Sequence, residues 1–435
     1  MSMLKKFVSI FFIILAPIQV YKCFAQDKNN SLIQLESTNP TVSNSRNLSL
    51  KDSLEIANEN NPVVKAAIAT LPVAEAKLII AKYIPNPIIN SNAELVKSGS
   101  IHPIQIGQTF EIGRKRYWRI QIAKNEISKN ELEVAKVLWE TRAKVHTAYA
   151  GLSISKELFN LAQERLNFYK TLVEITRKRF QAGDVSGLEL DRTNMELLSA
   201  ENDLDEIEKR LKRARVDFNG LLGQKQDAEF SLEDTESLKP KFPIKDYAPL
   251  KNALDEAVNK RLEIAILEKD FGITRAKLKK ARWERLPNLY VEGGPAMPSY
   301  HDNIWGPYFG TGLELPVFNR KQGEIKEAKA QIEFLEKDRK RIENEINIEV
   351  KNSLQDLELS ENQVERFEQN LLGQSQNILE AIQKGYQIGR LTLTDVLNAE
   401  QKNRDLKQKY FGSLFDYQIA LASLEYSVGA PIYEP

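Results

Sequence analysis

Two stretches of this chain say nearly the same thing: FQAGDVSGLEL at Phe180–Leu190 and YQIGRLTLTDVL at Tyr386–Leu397. Each sets an aromatic residue three places before a glycine, then a small polar residue, an acid and a leucine. The glycines, Gly183 and Gly389, stand 206 positions apart. A chain of 435 residues that repeats itself at nearly half its length builds its fold twice, which narrows the choice of architecture sharply. The echo runs the whole way. Leu50-Lys51-x-x-Leu54-x-x-Ala57 returns as Leu250-Lys251-x-x-Leu254-x-x-Ala257, and Ala76-Lys77-Leu78 as Ala276-Lys277-Leu278. Pro85-Asn86 returns as Pro287-Asn288, Arg114-Lys115 as Arg320-Lys321, and Leu222-Gly223 as Val428-Gly429. The offset grows from 200 through 202 to 206, as small insertions between segments require.

Two units follow, residues 50–223 and 250–429. A Pro- and charge-rich connector, 224–249, separates them. Each unit reads helix, strand, strand, very long helix, helix. The first helix is expected over about 50–82, ending before Pro85. Strands are expected over about 86–112 and 288–318. In IQIGQTFEI, Ile104, Ile106, Phe110 and Ile112 fall on one face and Gln105, Gly107, Thr109 and Glu111 on the other. Phe309, Thr311, Leu313, Leu315 and Val317 alternate in the same way with Gly310, Gly312, Glu314 and Pro316. Nine or ten residues with one apolar face is the length of a tilted membrane strand, and equally that of an ordinary half-buried strand.

Residues 114–180 hold no proline and one glycine, Gly151. Ile127, Val134, Leu138, Val145, Tyr149 and Leu152 form a coiled-coil type of seam, as do Ile332, Leu335, Ile342, Ile346, Val350, Leu354 and Leu357 in the second unit. Such a helix reaches about 100 Å, so it is a stalk or the wall of a long tube. The turns after the long helices, about 181–190 and 387–396, are the expected hairpin tips.

At the N-terminus, Lys5 and Lys6 precede an apolar run over Phe7–Val20, then Cys23-Phe24-Ala25. This is the pattern of a signal peptide over residues 1–25, cut after Ala25. A lipidated Cys23 is the rival, but Tyr21 and Lys22 are not the small residues that precede a lipid-bearing cysteine. The cut removes three lysines and no acids, leaving 58 basic against 60 acidic residues, so nothing points to nucleic acid. It also removes the one cysteine, and with it any disulfide or cysteine metal site. Residues 26–49 form a polar N-terminal segment and 430–435 a C-terminal tail. No later stretch has the 18 apolar residues of a membrane helix, so an exported chain of this kind that spans a membrane does so with strands.

Four strands cannot close a barrel, and open strand edges cannot face lipid. If these strands lie in a membrane, several chains must share one barrel: two give 8 strands, three 12, four 16. Larger barrels leave a channel. Here the sequence resembles the TolC-type outer-membrane efflux family over about residues 48–430. The resemblance lies in the duplicated order of elements, in Tyr386-x-x-Gly389-x-x-x-x-x-Asp395-Val396-Leu397, and in the unit ends Leu221-Leu222-Gly223 and Ser427-Val428-Gly429. PNPIINSNAEL, GQTFEIGRKR and LELPVFNRKQGEI are similar to the cobalt-zinc-cadmium subfamily that serves heavy-metal efflux. The resemblance implies a mainly α fold with a small β part: a homotrimer with a 12-stranded barrel in the outer membrane and an α-helical barrel in the periplasm. It implies as partners outer-membrane lipid, a periplasmic adaptor (membrane fusion protein) and an inner-membrane RND-type pump. It implies no cofactor. Drug or organic-solute efflux and type I protein secretion use the same kind of channel.

Glu189 and Asp395 occupy equivalent places, and three chains bring six such carboxylates to one mouth. A ring of acids favours cations. By resemblance, Asp395 holds the position of a family aspartate at the constriction. The family's second aspartate is Asn398 here, and its gate-holding arginine is Leu391, with Arg390 beside it. The plainer reading is that both acids serve a helix start, where the macrodipole favours them. Gly183, Asp184, Gly389 and Arg390 form the expected adaptor-docking tips, or simple helix-ending glycines. His102 and His301, with Asp302, are candidate metal donors in the inter-strand loops, against the ordinary reading as scattered loop histidines. His146 and Trp139 are expected to pack between helices. Arg114, Lys115, Arg116, Arg320 and Lys321 are expected where strands meet helices.

An enzyme is not expected. The chain has three histidines far apart, no serine elbow and no phosphate-binding glycine loop. The competing class is an exported coiled-coil stalk, which leaves the two identically placed strand pairs unexplained.

Overall fold

The computed structural model describes residues 47–92, 102–233, 235–240, 257–296 and 305–432. The segment read above as signal peptide lies wholly outside them, as do residues 234 and 241–249 of the connector and 433–435 of the tail. The chain divides into two compact units. In the smaller, β1 (Asn47–Leu48) pairs in parallel with β4 (Ser231–Leu232), and both leucines are buried. All else described belongs to the larger unit, Ser49–Ala228 with Asp234–Pro435.

The larger unit opens with α1 (Leu50–Asn60), α2 (Pro62–Ile68) and α3 (Leu71–Lys82), where one helix was expected. Pro62 and Pro72 are the reason. Each lacks an N–H and starts a new helix rather than continuing the old one. Asn61 fills the first break: its Oδ1 accepts the N–H groups of Val63 and Val64, and its Nδ2 donates to the Leu221 carbonyl at 2.7 Å.

Strands β2 (Ile88–Asn92) and β3 (His102–Phe110) follow, then α4 (Lys115–Gln181), 67 unbroken residues and so about 100 Å of helix. Helix α5 (Gly187–Leu222) returns along it. The second half holds α6 (Leu262–Trp283), β5 (Leu289–Ala296), β6 (Gly306–Leu313), α7 (Gln322–Arg366), α8 (Leu372–Gln387) and α9 (Leu393–Val428).

The halves close in matching ways. Gly223 and Gly429 end α5 and α9 with φ of 66° and 71°. Arg261 takes the place of Asn61: it is buried before α6 and donates from Nη1 to the Ser427 carbonyl at 3.2 Å, as Asn61 does to Leu221. Glu349 and Glu263 each meet the Arg261 guanidinium at 2.9 Å, and the Tyr426 ring lies 4.8 Å from it. Burial acts to raise the Glu263 carboxyl, but the hydrogen bond and charge of Arg261 outweigh it and hold the group at about 2.

One feature separates the long helices. A single π turn, Phe367–Leu371, joins α7 to α8, while α4 has none. A π turn takes up one extra residue. The packing register shows that residue. Ala123 and Ala328, Val145 and Val350, and Leu152 and Leu357 are buried pairs 205 positions apart, whereas Val173 and Leu379, beyond the turn, are buried 206 apart.

The four long strands form one antiparallel sheet in the order β2-β3-β5-β6. Register sorts its faces. Ile89, Ile106, Gly293 and Phe309 lie in one cross-strand row, and Phe110, Leu289 and Leu313 in another on the same face. Ile106, Phe110, Phe309 and Leu313 are exposed there. On the opposite face Asn90 donates to the Tyr290 hydroxyl at 2.9 Å, and Tyr290 and Tyr308 donate to Glu292. One face is apolar and the other polar, the alternation of a membrane strand around an aqueous lumen. Edges β2 and β6 have no partner strand among the described residues.

Candidate functional site

The two hairpin tips are built by one recipe. At the end of α4, the Gly183 N–H donates to the Phe180 carbonyl at 3.0 Å and the Asp184 N–H to the Arg179 carbonyl at 2.9 Å. At the end of α8, the Gly389 N–H donates to Tyr386 at 3.0 Å and the Arg390 N–H to Gly385 at 2.9 Å. This pair of bonds is the Schellman closure of a helix. It needs a left-handed residue, and φ is 82° at Gly183 and 75° at Gly389. A side chain at Gly183 would meet nothing within 4 Å, so backbone conformation alone reserves the position for glycine.

A hydroxyl then starts the next helix. Ser186 accepts the Glu189 N–H at 3.4 Å, a single long bond. Thr392 accepts the Asp395 N–H at 3.3 Å, and Asp395 Oδ2 in turn accepts from the Thr392 N–H at 2.9 Å and hydroxyl at 2.7 Å. This reciprocal box satisfies two orphan donors of α9. The Thr392 hydroxyl and N–H hold the Asp395 carboxyl below the usual range for aspartate, so it is charged throughout the neutral range. Glu189 makes no such return bond. Its Oε2 is buried without a hydrogen-bond partner among the described residues.

Of the residues expected here, Gly389, Arg390, Asp395 and Asn398 belong to one tip, and Gly183, Asp184 and Glu189 to the other. Asp184, Arg390 and Asn398 are exposed. The tips are tied together. Arg179 Nη1 donates to the Tyr386 carbonyl at 3.1 Å, and its guanidinium lies 4.6 Å from the centre of the Tyr386 ring. The Tyr386 hydroxyl meets the Thr176 hydroxyl at 3.0 Å. Arg192 reaches Thr394 at 3.5 Å. Tyr386 is 1% exposed, packed among Tyr169, Leu172, Leu393 and Val396.

A buried charged cluster above the tips escaped the sequence reading. Tyr169 donates to Glu400 at 2.9 Å, Arg165 Nε lies 3.7 Å from Glu400, and Arg165 is ion-paired with Asp203. Burial raises the Glu400 carboxyl, with the Tyr169 hydrogen bond, Arg404 and Arg165 opposing it. A signal was present. Leu393, Val396 and Leu397 set an apolar face on α9, and Glu400 sits on that face one turn further on.

His146, Trp139, Lys115 and Arg116 sit in ordinary surroundings. His146 is buried on α4, with Nε2 2.7 Å from Gln418 Oε1, and burial lowers its pKa. Trp139 lies under the Arg142 guanidinium at 5.5 Å. Lys115 Nζ donates to the Leu286 carbonyl and Asn288 Oδ1, both at 2.6 Å, and Arg116 to the Lys82 carbonyl, where strands pass into helices. His102 opens β3 opposite Asn92, while His301 and Asp302 lie outside the described residues. No group of three metal-ligating side chains occurs among the described residues.

Comparison with known proteins gives one consistent answer. Residues 54–224 match the family model described as outer membrane efflux protein. The chain is 25% identical, over 88% of its length and 90% of the relative's, to the cobalt-zinc-cadmium resistance protein CzcC of Cupriavidus metallidurans. It is 20% identical to the outer membrane protein TolC of Escherichia coli over 69% of its length, spanning 59% of that protein. Among solved structures it matches the channel CusC at a TM-score of 0.70, 17% identity and coverage of 89% and 96%. It matches the outer-membrane channel OprN at 0.72, 16% identity and coverage of 88% and 90%.

Proposed function

Because residues 54–224 match the outer membrane efflux protein family model and the chain is similar to CzcC along most of both lengths, we propose that it is an outer-membrane efflux channel with its helices in the periplasm, the exit duct of a tripartite pump for divalent or heavy-metal cations. The observation that carries the duct is the four-stranded sheet, apolar on one face, polar on the other and without a partner strand at either edge among the described residues. Open edges are intolerable in lipid. Three copies joined edge to edge give twelve strands and a lumen, continued by the long helices. The likeness to CzcC along most of both chains favours metal cations as cargo.

The duct is passive. An inner-membrane pump of the RND type supplies energy, and a periplasmic adaptor docks on the tips at Gly183, Asp184, Gly389 and Arg390. Opening is a shift between closed and open hairpin populations, driven by the adaptor's preference for one of them. Asp395, with Glu189, Asn398 and Arg390, lines the periplasmic mouth and selects for cations. Growth of a strain lacking the gene tests the cargo. Sensitivity to zinc, cobalt or cadmium, reversed by the gene, is the expected result. Sensitivity to dyes, detergents and antibiotics alone moves the duct to organic solutes.

A further inference from the structure

The duplication sets parts of unit one against parts of unit two within the copy, and leaves one reverse pairing unmade among the described residues. Helix α4 packs against α9, joining unit one to unit two. The equivalent helices, α7–α8 of unit two and α5 of unit one, make no comparable contact with each other among the described residues. Their faces are dressed for one. Tyr386 is 1% exposed, but its equivalent Phe180 is 45% exposed. Leu172, which packs with Tyr386, is fully buried at 0%, but its equivalent Ile378 is 56% exposed. Ile154 is buried and its equivalent Leu359 exposed; Ala422 is buried and its equivalent Val216 exposed. The sheet runs the same way: β2 and β6 have no partner strand among the described residues, so joining copies edge to edge would set unit two of one against unit one of the next.

From this we infer that Phe180 of one copy seats against Ile378 and Ile382 of a second copy, as Tyr386 seats against Leu172 and Thr176 within one copy. The inference rests on the closed-tube reading above and adds its joint. The two joints then alternate around the tip and differ in chemistry. Inside a copy, Tyr386 is held by a hydroxyl–hydroxyl bond with Thr176 and by a hydrogen bond from Arg179 to its carbonyl, and the buried Glu400 by Tyr169. Between copies, the equivalents of Thr176 and Arg179 are Ile382 and Gly385, and those of Glu400 and Tyr169 are Asn194 and Ser375. The inner joint is polar and charged. At these positions the joint between copies is apolar and carries no charge, with Met195 and Leu198 on α5 adding exposed apolar surface to it.

Photo-crosslinking of the full chain in outer membranes tests the pairing, with Phe180 replaced by p-benzoylphenylalanine. The expected result is a ladder of covalent oligomers on a denaturing gel, with adducts mapped to residues 375–382 of another copy. An unheated gel of the same sample reports the oligomer itself. A trimer that survives there, with adducts absent, confined to the same copy or mapped elsewhere, overturns the pairing and leaves the tube standing. Absence of any oligomer on the unheated gel overturns the tube, and the pairing with it. A second variant, Phe180→Cys with Ile382→Cys joined by a short bismaleimide, answers if the photo-reactive chain fails to assemble. Covalent oligomers support the pairing, and monomer alone, beside an intact trimer, rejects it.

Discussion

At the two hairpin tips, glycine, hydroxyl cap and acid stand at identical spacing, and the two helix-closing bonds match, with one further bond, Leu391 N–H to the Gly385 carbonyl at 3.3 Å, in the second tip. The side chains do not match. Tyr386 closes a buried cluster with Arg179 across its ring, while Phe180 in the same place looks outward. Thr392 and Asp395 cap each other, while Ser186 makes one long bond and Glu189 none in return. Duplication preserved what the backbone requires for a tight turn. It released whatever depends on which neighbour a face meets, and the two tips have since met different neighbours.

The largest effect expected on that contrast comes from the aromatic pair. Tyr386→Ala empties a packed site and should cost about 3–5 kcal/mol, as truncation of a buried aromatic does. Phe180→Ala opens no cavity within the copy and in the assembled tube removes only its contact with a second copy, so it should loosen its own hairpin less than Tyr386→Ala does. Amide exchange at the two tips measures both. Equal loss at the two tips would mean that the copies pack alike and the contrast is false.

Acid should distinguish the unit junction from the tip joint. Glu263 is held at about 2 by Arg261, below its ordinary 4.5. Its stabilisation is therefore full above about 4.5 and lost as pH falls toward 2. Glu263→Gln should cost about 2 kcal/mol at pH 7 and almost nothing near pH 2. Glu400 behaves oppositely. Its folded value is raised by burial, so its contribution weakens as pH rises through that value. Glu400→Gln keeps an acceptor for Tyr169 while removing that pH dependence. Thermal midpoints of the variants across pH 2–8 check both signs.

The turns give smaller and more equal effects. Gly183→Ala and Gly389→Ala should each cost about 1–2 kcal/mol, the strain of a left-handed L-residue, since neither site is crowded. The caps should differ. Thr392→Ala breaks a reciprocal box and should cost about 1 kcal/mol, and Ser186→Ala less. Denaturation midpoints that rank the serine above the threonine would contradict the geometry.

Much of this was legible in the sequence because it is local or periodic. Gly183, Gly389, Gly223 and Gly429 announce left-handed helix ends, and Ile104, Ile106 and Phe110 announce a two-faced strand. The breaks at Pro62 and Pro72 were written there too, but the apolar pattern across them invited a single helix. What stayed hidden depends on partners hundreds of residues away. Nothing near Glu400 shows that Tyr169 and Arg165 will surround it. The π turn at Phe367–Leu371 is invisible in composition, and shows only as a one-residue slip between two helices that must pack alike.

The smallest structural effect and the most direct test of function meet at Asp395. The residue serves α9 as a cap and is proposed to serve the mouth as a charge, and the two duties separate by substitution. Asp395→Asn keeps an oxygen that can accept from Thr392 and removes the charge. Its stability should fall by less than about 1 kcal/mol. Its channel in a planar bilayer under a salt gradient should show a reversal potential shifted toward zero, because one ring of fixed anions is gone. Glu189→Gln should shift it further in the same direction if both acids reach the lumen. A reversal potential unmoved by Asp395→Asn would leave the carboxylate as a helix cap alone, and would place selectivity, if the channel has any, elsewhere in the tube.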